Sequence, residues 1–286
     1  MVPLLRASQH LVCMAKNGLN RVRHPQGKSV QEKWRVMAEH RFRNIVLQHL
    51  EPDAIERLQL RPVTLKAGQV LESPGSSFDE LVFLEEGIAS LTTIFEDGAQ
   101  VEAGMFGCES AIGSPALMGL RNGRSHIAVQ VPGHGYASGK NAAEREFRRM
   151  ECFHDLILRY MQSQILQATQ SAGCNARHNV QQRLSRWLLL CQDRTDIETL
   201  QLTQEFLAAM LGVERPAVTV VAGKLQGQGL IDYSRGRVRI VDRDGLEKLA
   251  CECYAVARRE LEAFASYAEE CSLAEPGCRP VAIARG

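Results

Sequence analysis

The chain has 286 residues, 45% of them hydrophobic and 23% charged, and a formal net charge of +1. That length can bury the cores of two domains, and the composition excludes fibrous, low-complexity and intrinsically disordered classes. A balance near zero excludes a uniformly basic coat for nucleic acid but leaves room for a local basic patch.

No apolar run approaches the roughly 20 residues that span a bilayer, and the opening MVPLLRASQHLVCMAKN has no sustained signal-peptide core, so a cytoplasmic protein with no membrane partner is expected. The nine cysteines should then stay reduced. Cys251, Cys253, Cys271 and Cys278 crowd the C-terminal part in a spacing that matches no common zinc or iron-sulfur pattern. Cys108, Cys152, Cys174 and Cys191 read as small apolar residues, so neither a metal nor a cofactor is expected.

Residues 1–36 are basic and lack an apolar period, which predicts a floppy extension and makes Met37 a second candidate initiator. A short helix should run from Met37 to about Leu50, and Pro52 should open another with Ile55 and Leu58 inward. From Arg61 to about Ser138 short β-prone runs alternate with Gly and Pro. Val63 to Leu65, Leu81 to Leu84, Ile88 to Phe95, Ala99 to Ala103, Ile127 to Val131 and Tyr136 to Ser138 read as strands of a sandwich or barrel, with Asp97-Gly98 as a hairpin turn. The glycine-rich GMFGCESAIGSPALMGLRNGRS between them is either a ligand loop or a connection. No GxGxxG, GxSxG or GxxxxGK[ST] motif occurs, and no catalytic residue is expected.

Ala142 to Ala172 holds neither Gly nor Pro and should form one long helix. Met150, His154, Ile157, Met161, Ile165 and Ala168 recur at spacings of three and four, the seam of a two-stranded coiled coil or of a helix lying on a sheet; the dimer seam is the favoured reading, with His154 a core histidine rather than a metal or haem ligand. Gly173 should interrupt this helix as a hinge, and Arg183 to Leu189 should begin the helix behind the next motif.

That motif is LTQEFLAAMLGVERPAVTVVAGKLQGQGL, a helix-turn-helix. Thr203 can cap a first helix with Phe206, Leu207, Met210 and Leu211 on one face, Gly212 can supply the left-handed turn, and Ala208 leaves space for the crossing helix. The second helix, with Pro216 in its first turn, should bury Val218, Val221 and Leu225 and leave Arg215, Thr219, Val220 and Lys224 outside. Leu230 to Tyr233 and Val238 to Val241 predict a two-stranded wing with Arg235 and Arg237 at its tip. Five Lys or Arg against two acids between Glu214 and Arg239 make the patch basic. Thr203, Gln204, Arg215, Pro216, Thr219, Val220, Lys224, Arg235 and Arg237 are therefore the candidate DNA-contacting residues.

From about Met37 to about Phe264 the chain resembles the Crp/Fnr family of bacterial transcription regulators. A β-roll ending in a long helix, the segment CNARHNVQQRLSRWLL, and the helix-turn-helix with its wing carry the resemblance. It implies an α+β fold: a cyclic-nucleotide-binding-like jelly roll over 37–141, a dimerisation helix over 142–173, a winged helix over 174–245, and a C-terminal helix and tail over 246–286. It also implies a homodimer on a two-fold operator of double-stranded DNA, RNA polymerase as a further partner, and an effector in the roll. A sensor module acting through protein contacts is the rival reading.

The departures are specific. Cyclic-AMP-binding members carry a Gly-Glu-Leu phosphate cassette closely followed by Arg-Ser, whereas here Glu109 is followed by Ser110 and Arg124-Ser125 comes fifteen residues after Glu109. Glu109, Ser110, Arg124, Ser125 and, on the long helix, Thr169 are the candidate effector residues, but the lengthened loop argues against cyclic AMP. The oxygen-sensing branch uses N-terminal cysteines, where this chain has Cys13. On the recognition helix the Arg-Glu-x-x-x-Arg pattern becomes Arg215-Pro216-x-x-x-Val220, so only the first Arg survives.

Overall fold

The structure is a computed structural model that describes residues 42–273; the basic extension, Cys13 and Cys278 lie outside the described residues. Two short helices come first, α1 (Ile45–Gln48) and α2 (Pro52–Leu58). Buried Asn44 caps α1 by accepting from the amides of Val46 and Leu47, and its Nδ2 donates to the carbonyls of Leu84 and Ser110. One polar side chain thus ties the helix to the sheet behind it.

Eight strands follow: β1 (Arg61–Leu65), β2 (Val70–Glu72), β3 (Glu80–Leu84), β4 (Ile88–Ile94), β5 (Gln100–Phe106), β6 (Ala111–Ile112), β7 (His126–Val131) and β8 (Gly133–Gly139). They pair antiparallel in two sheets, β1-β8-β3-β6 and β2-β7-β4-β5, an open two-sheet roll rather than a closed barrel. All six expected strands are present. The additional β2 and β6 are three and two residues long, too short to show an apolar period. The Asp97-Gly98 turn is present with Gly98 at φ 82°, and the Asp97 carboxylate accepts from the Ala99 amide.

The expected single helix from Ala142 is two: α3 (Lys140–Phe147) and α4 (Cys152–Arg177). Met150 adopts φ 57°, left-handed, although no Gly or Pro marks the break. Ion pairs hold it from both sides, Arg57 to buried Glu146 at 2.6 Å and Arg149 to Glu151 at 3.0 Å. Nor does Gly173 interrupt α4. The helix runs on to Arg177, and α5 (Val180–Arg194) starts at Asn179, whose side chain and that of Gln182 form a capping box.

Strand β9 (Thr199–Gln201), helices α6 (Gln204–Leu211) and α7 (Arg215–Gly227), strands β10 (Ile231–Ser234) and β11 (Arg237–Ile240), and helix α8 (Arg243–Leu249) complete the winged helix. β9 was not legible; it adds a third strand to the wing in the order β10-β11-β9. Finally α9 (Cys253–Leu273) returns antiparallel along α4, with the Tyr160 and Phe264 rings 6.3 Å apart and Arg159 over the Tyr267 ring at 5.4 Å. One buried core joins roll to winged helix: Ile88, Met105 and Val131 pack with Leu184, Trp187, Leu188 and Leu207.

Candidate functional site

The helix-turn-helix forms as its sequence dictates. Thr203 accepts from the Phe206 amide at 3.1 Å, Gly212 ends α6 at φ 59°, and α6 and α7 cross at 107°. Val218 and Leu225 are fully buried, but Ala222 rather than Val221 completes the inner face of α7. Arg215, Pro216, Thr219, Val220 and Lys224 are exposed on the outer face. Thr219 donates to Gln204 at 2.7 Å, and Arg215 pairs with Glu205 at 2.8 Å across solvent. The helix-turn-helix therefore presents Gln204, Arg215 and Thr219 as one polar surface.

The wing is a tight hairpin, since Ser234 pairs with Arg237 and only Arg235 and Gly236 turn, both left-handed at φ 51° and 74°. Its tip is tied to the start of the motif, because the Leu202 amide donates to the Gly236 carbonyl at 2.7 Å. Arg235 and Arg237 are both exposed there.

Contacts from the roll hold the winged helix in place. Arg194 of α5 pairs with Glu109 at 2.8 Å, each side chain 3% exposed. Gly107 makes room for the Arg194 stem, because a Cβ there would lie 2.8 Å from its Cγ. Trp187 donates to Glu102 at 3.0 Å, and the turn glycine Gly212 lies against Val101 of β5. Burial pushes the Glu102 carboxyl up to about 7 against hydrogen bonds from Ser90 and Trp187 that pull it down.

The candidate effector residues divide into two groups. Glu109 and Thr169 line a cavity of about 120 Å³ with Arg194 and α9 residues such as Val256 and Glu260. Ser110 is buried and bonds the Gly107 carbonyl. Arg124 and Ser125 instead give their backbone amides, at 3.2 and 3.1 Å, to the buried carboxylate of Glu72. The loop between Glu109 and Arg124 folds into strand β6 and a 3-10 turn over Ser114–Met118.

The expected seam residues do not share one exposed face of the single chain. Met150 lies in the break before α4, His154 packs on the Phe147 ring at 4.5 Å, Ile157 is fully buried within its own chain, and Met161 accepts from Ser114. Ala168 is half-buried. Of the six, Ile165 alone is both helical and exposed. The outward stripe of α4 is Leu158, Ile165, Thr169 and Ala172, which keeps Ile165 and puts Leu158 and Thr169 in place of Ile157 and Ala168.

Cys174, read as a small apolar residue, meets His178, Cys251 and Cys253, with their ligand atoms all within 4.8 Å of one another. Cys271 sits apart, at the Cys152 end of α4. Among the described residues no single helix is long and apolar enough to cross a membrane.

Residues 182–249 match the Crp-like helix-turn-helix domain family. A search of curated proteins gave no match. Among solved structures, a Crp/Fnr-family transcriptional regulator from Eubacterium rectale is similar with a TM-score of 0.58 at 16% identity, covering 71% of this chain and 96% of its own. FixK2 from Bradyrhizobium japonicum follows at 0.57 and 12%, covering 67% and 98%. CLP of Xanthomonas campestris, a c-di-GMP responsive global regulator, gives 0.54 at 19%, covering 66% and 99%. These likenesses establish the fold. Residues 182–249 thus carry a Crp-like helix-turn-helix domain, and they follow a roll and long helix that share the fold of these structures.

Proposed function

We propose that the protein binds a two-fold operator of double-stranded DNA as a homodimer, reading bases with the outer face of α7 and gripping phosphates with the wing. The observation that carries this reading is the exposed row Arg215, Thr219, Val220 and Lys224 on a helix flanked by Arg235 and Arg237 at a rigid hairpin tip. Arg215 can donate two hydrogen bonds to a guanine once it leaves Glu205, and Val220 can pack on a thymine methyl. Pairing of two copies is assigned to the outward stripe of α4, and RNA polymerase is the further partner of the bound dimer. The protein acts as a regulator and not as an enzyme.

Gel shifts with genomic fragments at two salt concentrations test the reading, because phosphate contacts make affinity fall steeply with salt. Arg215→Ala is expected to weaken specific binding by about 1–3 kcal/mol and leave non-specific binding nearly unchanged. Arg237→Ala should weaken both together, since a phosphate contact carries no sequence information directly. Equal losses on specific and random DNA for Arg215→Ala, or a changed specificity for Arg237→Ala, would reverse these assignments.

The effector is read as something other than a cyclic mononucleotide. The Glu72 carboxylate already takes the amides of Arg124 and Ser125 that a phosphate would need, and the cavity at Glu109 is smaller than the roughly 300 Å³ at which ligand pockets begin. Saturating cyclic AMP or cyclic GMP should therefore change neither Tm nor DNA affinity. Micromolar binding by calorimetry that disappears in Arg124→Ala would restore the nucleotide reading.

A further inference from the structure

Two distant stretches deliver four metal-binding atoms to one point. Cys174 and His178 stand one turn apart at the C-terminal end of α4, while Cys251 and Cys253 flank Glu252 at the entry to α9. The Sγ atoms of Cys174 and Cys251 are 3.6 Å apart, and Cys253 Sγ is 3.6 Å from His178 Nδ1. Bonds of about 2.3 Å to sulfur and about 2.0–2.1 Å to nitrogen place tetrahedral zinc ligands about 3.6–3.8 Å from one another. A polynuclear cluster interposes sulfide and further metals between its thiolates and needs them wider apart than the 4.8 Å limit seen here. The geometry fits a single ion.

The surroundings suit such an ion independently. His178 presents Nδ1 to Cys253 and places Nε2 3.2 Å from the Glu252 carboxylate, which can only accept, so Nε2 is the donor and Nδ1 is the nitrogen that faces the thiols. Gln170 donates to Cys253 Sγ at 2.9 Å. Three thiolates around a divalent cation leave one net negative charge in a buried place. Arg183 and Arg186 are 8% and 7% exposed and each has an Nε without a hydrogen-bond partner; Arg186 also feels the charge of Glu102. Arg183 interacts electrostatically with Cys174 and Cys251, and Arg186 with Cys174. Buried guanidiniums are costly without nearby negative charge, and a metal-thiolate centre adds it beside both.

We propose that Cys174, His178, Cys251 and Cys253 form a closed tetrahedral site for one zinc ion that pins the start of α9 to the end of α4. Three thiolates and an imidazole select zinc over magnesium or calcium, and four protein ligands leave no open position for chemistry, so the role is structural. Because α9 walls the cavity above Glu109 and Arg194, metal loss would loosen that wall along with the helix.

The test uses the full chain, stripped by a chelator under reducing conditions and titrated with cobalt(II). One equivalent should produce tetrahedral d–d absorption with thiolate-to-cobalt charge transfer, and zinc should displace it stoichiometrically. Cys251→Ser and Cys253→Ser should abolish the bands, and Cys108→Ser should keep them. Glu252 is exposed, so Glu252→Gln should fold normally and weaken cobalt affinity by about 10- to 100-fold. Zinc should also protect α9 from proteolysis in the unaltered chain. Absence of a saturable cobalt spectrum in that chain would overturn the proposal, as would bands that survive both serine substitutions. So would isolation of a Cys174–Cys251 disulfide whose reduction yields no metal uptake, which would make the cluster a redox pair.

Discussion

Glu109→Ala is expected to destabilise the chain by about 3–5 kcal/mol, because it leaves the buried Arg194 guanidinium without its ion-pair partner. Each side chain of the pair is only 3% exposed, so solvent screens the loss weakly. Denaturant unfolding should show a lower midpoint with an unchanged slope, meaning lost stability rather than a different surface exposed. Glu109→Leu combined with Arg194→Met should recover most of the deficit, since replacing a buried pair by apolar groups of similar volume is often nearly neutral. A double variant as unstable as Glu109→Ala would assign the loss to packing instead. The pair also joins the loop after β5 to α5, so limited proteolysis of Glu109→Ala should cut first between roll and winged helix.

Ile165→Glu should prevent the proposed pairing of two chains and lower affinity for the proposed operator by about 10²- to 10⁴-fold, the gain that two linked half-site contacts provide. Ile165 is 65% exposed in the single chain, so the substitution costs the protomer little. In a pair of α4 helices it sets two carboxylates in one apolar seam, where desolvation and like-charge repulsion act together. Light scattering is the measurement. An unaltered dimer would place the interface on another face. Ile157→Glu would not separate these outcomes, since Ile157 lies in the protomer's own core and its substitution would unfold the chain.

The helix-turn-helix was legible, apart from Ala222 in place of Val221, because its determinants are local: a Thr203 cap, a Gly212 turn and apolar positions three and four apart. The wing was legible for the same reason, although Arg235 takes a left-handed position usually given to Asn or Gly. Elements fixed by distant partners were not. β2, β6 and β9 exist because another strand offers hydrogen bonds, and Met150 breaks a good helical sequence under ion pairs from Arg57 and Arg149. Spacing on α4 marks which face is apolar but not which neighbour covers it. His154 and Ile157 are covered by the protomer itself. The capping box Asn179–Gln182 was a local signal that fixed the end of α4 better than Gly173 did. The cysteine group had no such signal, since Cys174 and Cys251 are 77 positions apart and meet only through the antiparallel return of α9.

The shared core sets an energetic scale for regulation. Ile88, Met105 and Val131 of the roll are buried together with Trp187, Leu188 and Leu207 of the winged helix. A rigid-body swing of the reading head would therefore open apolar surface to water at roughly 25 cal/mol per Å², besides breaking the Glu102–Trp187 and Glu109–Arg194 contacts. A ligand moves a two-state equilibrium only by its differential affinity, and shifting populations from 1:99 to 99:1 takes about 10⁴-fold, or about 5.5 kcal/mol. A weakly discriminating metabolite cannot supply that. Signals that change charge inside the junction, or that remove a brace such as α9, act on the gap between the two states directly.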